Sequence, residues 1–498
     1  MSGNGEQALR AAVIMAPMTL DAATCYRALR SRDARFDGRF FVAVSSTRIY
    51  CRPVCTVKPP RRENCRFYPS AAAAESAGYR PCLRCRPELA PGNASVDARS
   101  RLAQAAASLI EDRTLDAQSL EALALRLGIT DRHLRRAFGA EFGVSPIEFA
   151  QTQRLLLAKR LLTDTALPVT EIAFASGFGS LRRFNALFRS RYRLQPGQLR
   201  RQMRTAVAPA ADALNFELSF RPPYDWPALC AFLDARAIAG VEALADGNYR
   251  RTVRVAQEGK DHLGWINVGM SPRKPALRIA VSASLARVLP PVLSRVKALM
   301  DLACNPTEVA NALGALARKR PGLRVPGAFD GFEVALRAIL GQQVTVAGAR
   351  TLAGRLAAAL GEPIETPFPA LTTLFPAAAR VADAPPGRIA RLGMPAARAR
   401  SILALARAVA DGELVLMPNA DVDATLDRLR ALPGVGEWTA QYIAMRALAW
   451  PDAYPHTDIG VMKALGTKDE RRALAAGENW RPWRAYAVMH LWSSLKKE

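Results

Sequence analysis

Two cysteine pairs most tightly constrain what this chain can fold into. Cys51 and Cys55 have three residues between them in YCRPVC, Cys82 and Cys85 have two between them in RPCLRC, and 26 residues separate the pairs. Both are knuckle spacings, in which a tight turn aims two sulfurs at one point. Together they prescribe a small domain closed around one tetrahedral zinc ion. Cys25, Cys65, Cys230 and Cys304 have no such neighbour and read as small buried hydrophobes.

The surroundings of the pairs are unusual for a plain scaffold. Residues 38–90 hold ten Lys/Arg and three Asp/Glu, a balance of +7, and zinc with four thiolates would add −2. Such a block favours a phosphate backbone while its metal centre repels phosphate locally. A zinc-bound thiolate is also a nucleophile toward alkyl carbon. The whole chain of 498 residues has a formal net charge of +25, which points to a polyanion and first of all to nucleic acid. The length exceeds what one core fills, so three or more domains are expected. No run of eighteen apolar residues occurs and the N-terminus lacks the shape of a secretory signal, so a soluble, cytoplasmic, nucleoid-associated protein is expected.

Composition divides the chain. Residues 1–36 are an entry segment, 37–90 the cysteine block, and ELAPGNAS at 88–95 a linker. Residues 99–204 read as short amphipathic helices, TAVAPAADA at 205–213 as a second linker, and 214–305 as α+β because alternating stretches precede a helical one. From 306 to 498, Ala- and Leu-rich helices dominate. The class is therefore multidomain α+β, with a small zinc-binding α/β domain and an all-α domain before the two C-terminal parts.

Within 99–204 a plan repeats at about fifty residues. SLEALALRLGITDRHLRRAFGAEFGVSPIEF (119–149) and TEIAFASGFGSLRRFNALFRSRYRLQPGQLR (170–200) each give a helix, a glycine turn at Gly128 or Gly177, and an arginine-rich second helix. Arg132, His133, Arg135 and Arg136 lie on the first such helix, and Arg182, Arg183 and Asn185 on the second. Each second helix can enter a major groove. Further on, LPGVGEWTAQYIAMRAL (432–448) places Gly434 and Gly436 in a turn between helices that offers backbone amides to a DNA phosphate.

These motifs carry resemblances. DGRFFVAVSSTRIYCRPVC, RRENCRFYPS and SAAAAESAGYRPCLRC, over 37–88, resemble the N-terminal domain of the Ada methylation-response regulators. That resemblance implies that Cys51 takes a methyl group from a DNA methylphosphotriester, with Cys55, Cys82 and Cys85 as fellow zinc ligands. The tandem repeat looks like an AraC-type DNA-binding domain, its usual companion. RPPYDW (221–226), DLACNPTEVANALG (301–314), FEVALRAILGQQVTV (332–346), the hairpin, AYPHTDIG (453–460) and ENWRPWRAYAVMHLW (478–492) resemble 3-methyladenine glycosylases of the AlkA type. The implied folds are a TBP-like α+β domain followed by an all-α helix-hairpin-helix domain.

By this resemblance Asp458 is the catalytic aspartate, Trp438, Tyr442 and Trp492 form the base pocket, and Gln343 stands at the duplex wedge, where the family type has Leu. The hairpin carbonyls of Arg430, Leu432 and Val435 correspond to a monovalent-cation site. Trp438 occupies the position of the Schiff-base lysine of bifunctional relatives, which implies hydrolysis without strand cleavage. The implied partners are double-stranded DNA, as alkylated substrate and as promoter operator, and RNA polymerase; a monomer is expected. Two alternatives stay open: a transcription regulator with an inactive glycosylase half, and a zinc module that is only structural.

Overall fold

The computed structural model describes residues 21–92, 101–111, 119–203, 212–257, 259–418 and 420–495. Most of the expected entry segment, and parts of both expected linkers, lie outside the described residues.

Strands β1 (Phe41–Val44), β2 (Ile49–Cys51), β3 (Cys65–Tyr68) and β4 (Arg80–Pro81) form one sheet in the order β3-β1-β2-β4. All pairs are antiparallel except β2 with β4. That parallel pair sets Tyr50 opposite Pro81, so Cys51 and Cys82 emerge from adjacent strand ends. The Cys82 amide donates to the Tyr50 carbonyl at 3.0 Å and fixes the match. The helix Ala22–Ser31, capped by Asp21, buries Cys25, Ala28 and Leu29 against Phe40, Val42 and Cys65. The cysteine domain therefore begins before residue 37, where the sequence alone suggested a boundary. Its own strands present an apolar face that this helix covers, with Phe36 beside it.

The repeat folds as two like units. Leu120–Arg126 and Asp131–Phe142 form the first, Val169–Ala175 and Leu181–Tyr192 the second, joined by the long helix Pro146–Asp164. Gly128 and Gly177 turn at φ +69° and +83°, where a side chain would be strained. Thr130 and Ser180 cap the two second helices by accepting the amides of His133 and Arg183. Leu134, Phe138 and Phe142 in one, and Phe184, Phe188 and Tyr192 in the other, are buried at four-residue intervals. This leaves 132, 133, 135 and 136 exposed, and likewise 182, 183, 185 and 186.

Beyond residue 212, strands β5 (Ala213–Ser219), β6 (Glu242–Ala245), β7 (Asn248–Gln257), β8 (Lys260–Met270) and β9 (Ala276–Ser282) form an antiparallel sheet in the order β5-β9-β8-β7-β6. On β5 only the alternate Leu214, Phe216 and Leu218 are buried, as one packed face requires. The C-terminal helices pack around Gly331–Leu340, which lies against both Ala396–Ala410 and Glu437–Arg446. It carries eight buried residues out of ten, including the paired Glu333. No described helix is long and apolar enough to cross a membrane.

Candidate functional site

The four cysteines predicted to ligate zinc converge. Their sulfurs all lie within 4.8 Å of one another, with Cys51, Cys55 and Cys82 buried and Cys85 partly so. Turn geometry accounts for this. The Cys55 amide donates to the Arg52 carbonyl, and the Arg52 amide donates to the Cys85 sulfur at 3.4 Å, tying one knuckle to the other. Arg52 itself is buried and paired with Asp37, while its Nη1 donates to the Cys85 carbonyl at 3.3 Å.

On the helical repeat, Arg132, His133, Arg135 and Arg136, and Arg182, Arg183 and Asn185, all stand on the solvent face of their helices. Arg135 leans on Asp131 at 3.5 Å and Arg136 reaches the His133 ring at 3.4 Å. Both contacts are exposed and weak enough to exchange for phosphate.

The third site is a cavity of about 1030 Å³, at the upper end of the ~300–1,000 Å³ typical of ligand pockets. It brings together Asp458, Trp438, Tyr442, Trp492, Gln343, Gly434 and Gly436 from separate segments. Asp458 caps the helix Ile459–Ala464, its Oδ1 accepting the Val461 amide at 2.9 Å. It does more than cap. The indole Nε1 of Trp492 donates to Oδ1 and that of Trp438 to Oδ2, both at 2.8 Å. A carboxylate receiving three N–H donors is held in one orientation. Gly460 permits this, because a Cβ there would stand 3.0 Å from both Asp458 Oδ1 and the Trp492 ring.

The aromatic rings line up beside the carboxylate. Trp438 stacks on Tyr442 with centroids 5.5 Å apart and planes 20° apart, and Tyr442 meets Trp492 at 6.3 Å. The hairpin is braced by Arg430, whose Nε donates to Glu437 at 2.7 Å across it. Gly434 turns at φ +73°, where a Cβ would meet the Ser401 hydroxyl at 2.5 Å. Gly436 caps the helix Glu437–Arg446 without a side-chain acceptor, which leaves its first turn open to an external anion. The Leu432 carbonyl, one of the three named for a cation, accepts the Val435 amide. Gln343 is exposed on the cavity rim with φ +54°. Its neighbour Gln342 donates to the Gly434 carbonyl (2.8 Å) and the Thr439 hydroxyl (3.0 Å), fastening rim to hairpin.

Comparison with known proteins matches this arrangement domain by domain. Three family models fit: the metal binding domain of Ada over residues 24–88, a helix-turn-helix domain over 123–202, and the AlkA N-terminal domain over 215–330. A protein of Mycobacterium tuberculosis described as a probable bifunctional transcriptional activator/DNA repair enzyme AlkA is 41% identical over 491 residues, covering 96% of this chain and 97% of that protein. The chain belongs to this family of bifunctional transcriptional activator/DNA repair enzymes. The DNA-3-methyladenine glycosylase 2 of Escherichia coli is 38% identical over 277 residues, 56% of this chain and 96% of that protein. The bifunctional transcriptional activator/DNA repair enzyme Ada of the same organism is 37% identical over 141 residues, 28% of this chain and 38% of that protein.

In this member of the family the cysteine cluster fits zinc. Sulfurs at ~2.3 Å from a tetrahedral ion lie ~3.8 Å apart, within the spread observed. One Zn²⁺ is held by Cys51, Cys55, Cys82 and Cys85.

Several pocket residues escaped the sequence reading. Arg446 donates to the Tyr442 hydroxyl at 2.9 Å and lies 4.9 Å from the Phe232 ring, while Arg236 covers that ring at 3.8 Å. Burial alone would raise the Tyr442 hydroxyl, but Arg446 and Arg236 bring it below the ordinary phenol value. The i, i+4, i+8 spacing of 438, 442 and 446 was a usable signal for Arg446. Arg236 reaches the pocket from the preceding domain, with Phe232 packed behind it, and nothing local marks either.

Proposed function

We propose that this protein carries two activities on DNA. It is a transcriptional activator that takes a methyl group from DNA methylphosphotriesters onto Cys51. It is also a glycosylase that hydrolyses the N-glycosidic bond of alkylated purines of the 3-methyladenine and 7-methylguanine class. The division is a zinc domain, an AraC-type domain over 99–204, a TBP-like domain and a helix-hairpin-helix domain. Activation at an operator implies RNA polymerase as a partner, and the substrate places the work in the cytoplasm.

For excision, the supporting observation is the Asp458 carboxylate fixed by two indoles beside a stack of aromatic rings. An alkylated purine is cationic and leaves readily, so no strong general acid is required. A base must flip out of the duplex to reach the cavity, where aromatic faces attract its positive charge. As the bond to the sugar breaks, the anion of Asp458 stabilises the positive charge left behind and orients water. This role, with Trp438, Tyr442 and Trp492 as the pocket and Gln343 as the wedge, favours an active glycosylase half over an inactive one. Among the described residues lining the cavity none is lysine, which fits hydrolysis without a covalent sugar adduct.

For methyl transfer, bound zinc supplies the charge that keeps four clustered sulfurs as thiolates. The Cys51 sulfur attacks the methyl carbon, the C–O bond breaks, and a phosphodiester anion leaves while the sulfur becomes a thioether. No proton moves. The site goes from −2 to −1. At ~7 Å from a phosphate and an effective dielectric of ~20, one charge is worth roughly 2 kcal/mol, or about thirtyfold in affinity before screening. Methylated protein should bind its operator more tightly, most of all at low salt. The test is to incubate the protein with methylated DNA while following both the mass of the Cys51 peptide and the release of free base. Unchanged Cys51 mass refutes the first activity, and absence of released base the second.

A further inference from the structure

Between the zinc cluster and the two recognition helices lies a buried carboxylate that neither activity uses. Glu75 belongs to the short helix Ala71–Ser76 of the cysteine domain and is only 1% exposed. Its Oε1 accepts the Tyr50 hydroxyl at 3.0 Å and the Tyr192 hydroxyl at 3.2 Å; its Oε2 accepts the Thr152 hydroxyl at 3.3 Å. Arg191 donates to the Glu75 carbonyl at 3.0 Å. The three hydroxyl partners are themselves buried and come from different elements. Tyr50 immediately precedes Cys51 on β2, Thr152 lies on Pro146–Asp164, and Tyr192 ends the second recognition helix, Leu181–Tyr192.

The same short helix also touches the first recognition helix at the corresponding place. Ser70, its cap, donates to the carbonyl of Phe142, the last residue of Asp131–Phe142. Phe142 and Tyr192 occupy equivalent positions in the two repeats, and the one difference between their side chains is the hydroxyl that Glu75 receives. A carboxylate taken out of water at such a joint costs stability unless its partners stay in place, so the three hydroxyls and Glu75 move together or not at all. Burial pushes the Glu75 carboxyl up to about 7 against the pull of those hydroxyls.

We infer that Glu75 is a positioning residue that mechanically links the state of Cys51 to the second recognition helix. Cys51 is buried, so a methyl group added to its sulfur must displace its surroundings. The strand end shifts, the Tyr50 hydroxyl shifts with it, and Glu75 passes the displacement to Tyr192. This link rests on the reading of Cys51 as methyl acceptor but adds something to it. The charge effect is screened by salt, whereas a displacement carried by packed, buried groups is not. Operator affinity should therefore gain from methylation in two parts, one lost at high salt and one retained.

The experiment measures binding of the full-length zinc-loaded chain, with Cys51 unmethylated or methylated, to a duplex selected by the methylated protein from a random-sequence pool. It is done at low salt and at ~0.5 M, where the screening length is about 4 Å. Wild type should keep a gain of about fivefold at high salt, the size of one buried hydrogen bond. Tyr192→Phe, which removes one oxygen, and Glu75→Leu should abolish that retained part and keep the salt-sensitive part. Release of 3-methyladenine by the same preparations reports folding. If Glu75→Leu does not fold, Tyr192→Phe carries the test. A wild-type gain that vanishes entirely at high salt, or a retained gain undiminished in Tyr192→Phe, overturns the link while leaving methyl transfer standing. Failure of Cys51 to gain mass overturns the methyl-acceptor reading and the link with it.

Discussion

Replacing Asp458 by Asn separates its two visible roles. As a helix cap, Asn serves as well as Asp, so the helix Ile459–Ala464 should persist. As a charge, Asn fails. An anion at roughly 4–5 Å from the developing sugar cation, at an effective dielectric of about 20, contributes about 3–4 kcal/mol, or roughly 10²–10³ in rate. The amide also has one oxygen for three donors. Turned so that it keeps Trp492 and Val461, it presents its NH₂ group to the Trp438 indole, whose own N–H then lacks an acceptor. That adds about 1–3 kcal/mol of disorder to the pocket wall. The assay is single-turnover release of 3-methyladenine from alkylated duplex, alongside binding to an abasic-site analogue. Release should fall at least a hundredfold while binding stays within about threefold. Release within tenfold of wild type would refute the electrostatic role and leave Asp458 as a cap.

Other outcomes follow from the same geometry. Borohydride should trap no covalent adduct between the protein and damaged DNA, and an adduct would mean that a lysine outside the described pocket lining reaches the sugar. Cys82→Ala should lose zinc and unfold the cysteine domain together, since binding and folding are one process there, whereas Cys51→Ser should retain part of the metal and accept no methyl; metal content and peptide mass check both. Glu75 holds its proton more tightly folded than unfolded, so its contribution is complete below pH ~4.5 and is lost as pH rises through about 7, by ~3 kcal/mol. Against that, Glu75→Gln should flatten the pH dependence of the first thermal transition between pH 5 and 7.5, with Arg191 and Glu88 the charged groups near the cluster that remain; an unchanged slope would count against a buried, proton-holding Glu75.

Much of the site was readable because its chemistry is local. The cysteine knuckles need short spacings, the hairpin needs glycines at fixed steps, and the repeat shows itself by recurring at fifty residues with Leu134, Phe138 and Phe142 answered by Phe184, Phe188 and Tyr192. Asp458 was legible through resemblance, while its clamping by two tryptophans, 20 and 34 residues away, was not. Boundaries were harder. The helix Ala22–Ser31 carries no motif, yet the sheet needs it as a lid, which no local pattern could reveal. Glu75 was hidden for the opposite reason: in AAAAES it resembles an ordinary surface helix residue, and only the third dimension sets three hydroxyls around it.

Packing divides the molecule differently from sequence. The first recognition unit shares its core with the cysteine domain, since Ala72 and Ala73 lie in one apolar cluster with Leu134, Phe138, Phe142 and Phe149. The second unit lies in a different cluster, against which Leu83 of the cysteine domain also packs. Ile172, Phe178, Phe184, Phe188 and Tyr192 belong instead to the cluster that continues into Phe216, Leu285 and the glycosylase half. Arg160 adds polar contacts to that cluster, donating to the Glu217 carbonyl at 2.6 Å and lying 4.9 Å from the Phe216 ring. The tandem reader of DNA thus has one half seated on the methyl sensor and the other on the repair enzyme. Apolar cores move as units, so the seam between the two recognition helices is one place where the halves can shift, beside the direct contacts of Arg39 with Glu308 and of Arg221 with the Gly92 carbonyl. Glu75 bridges that seam, receiving Tyr50 from the sensor side and Tyr192 from the repair side. On the link proposed above, a change at Cys51 that moves Tyr192 would reach the core on which the excision domains are built, and would tie the spacing of the two helices to the damage the sensor has met.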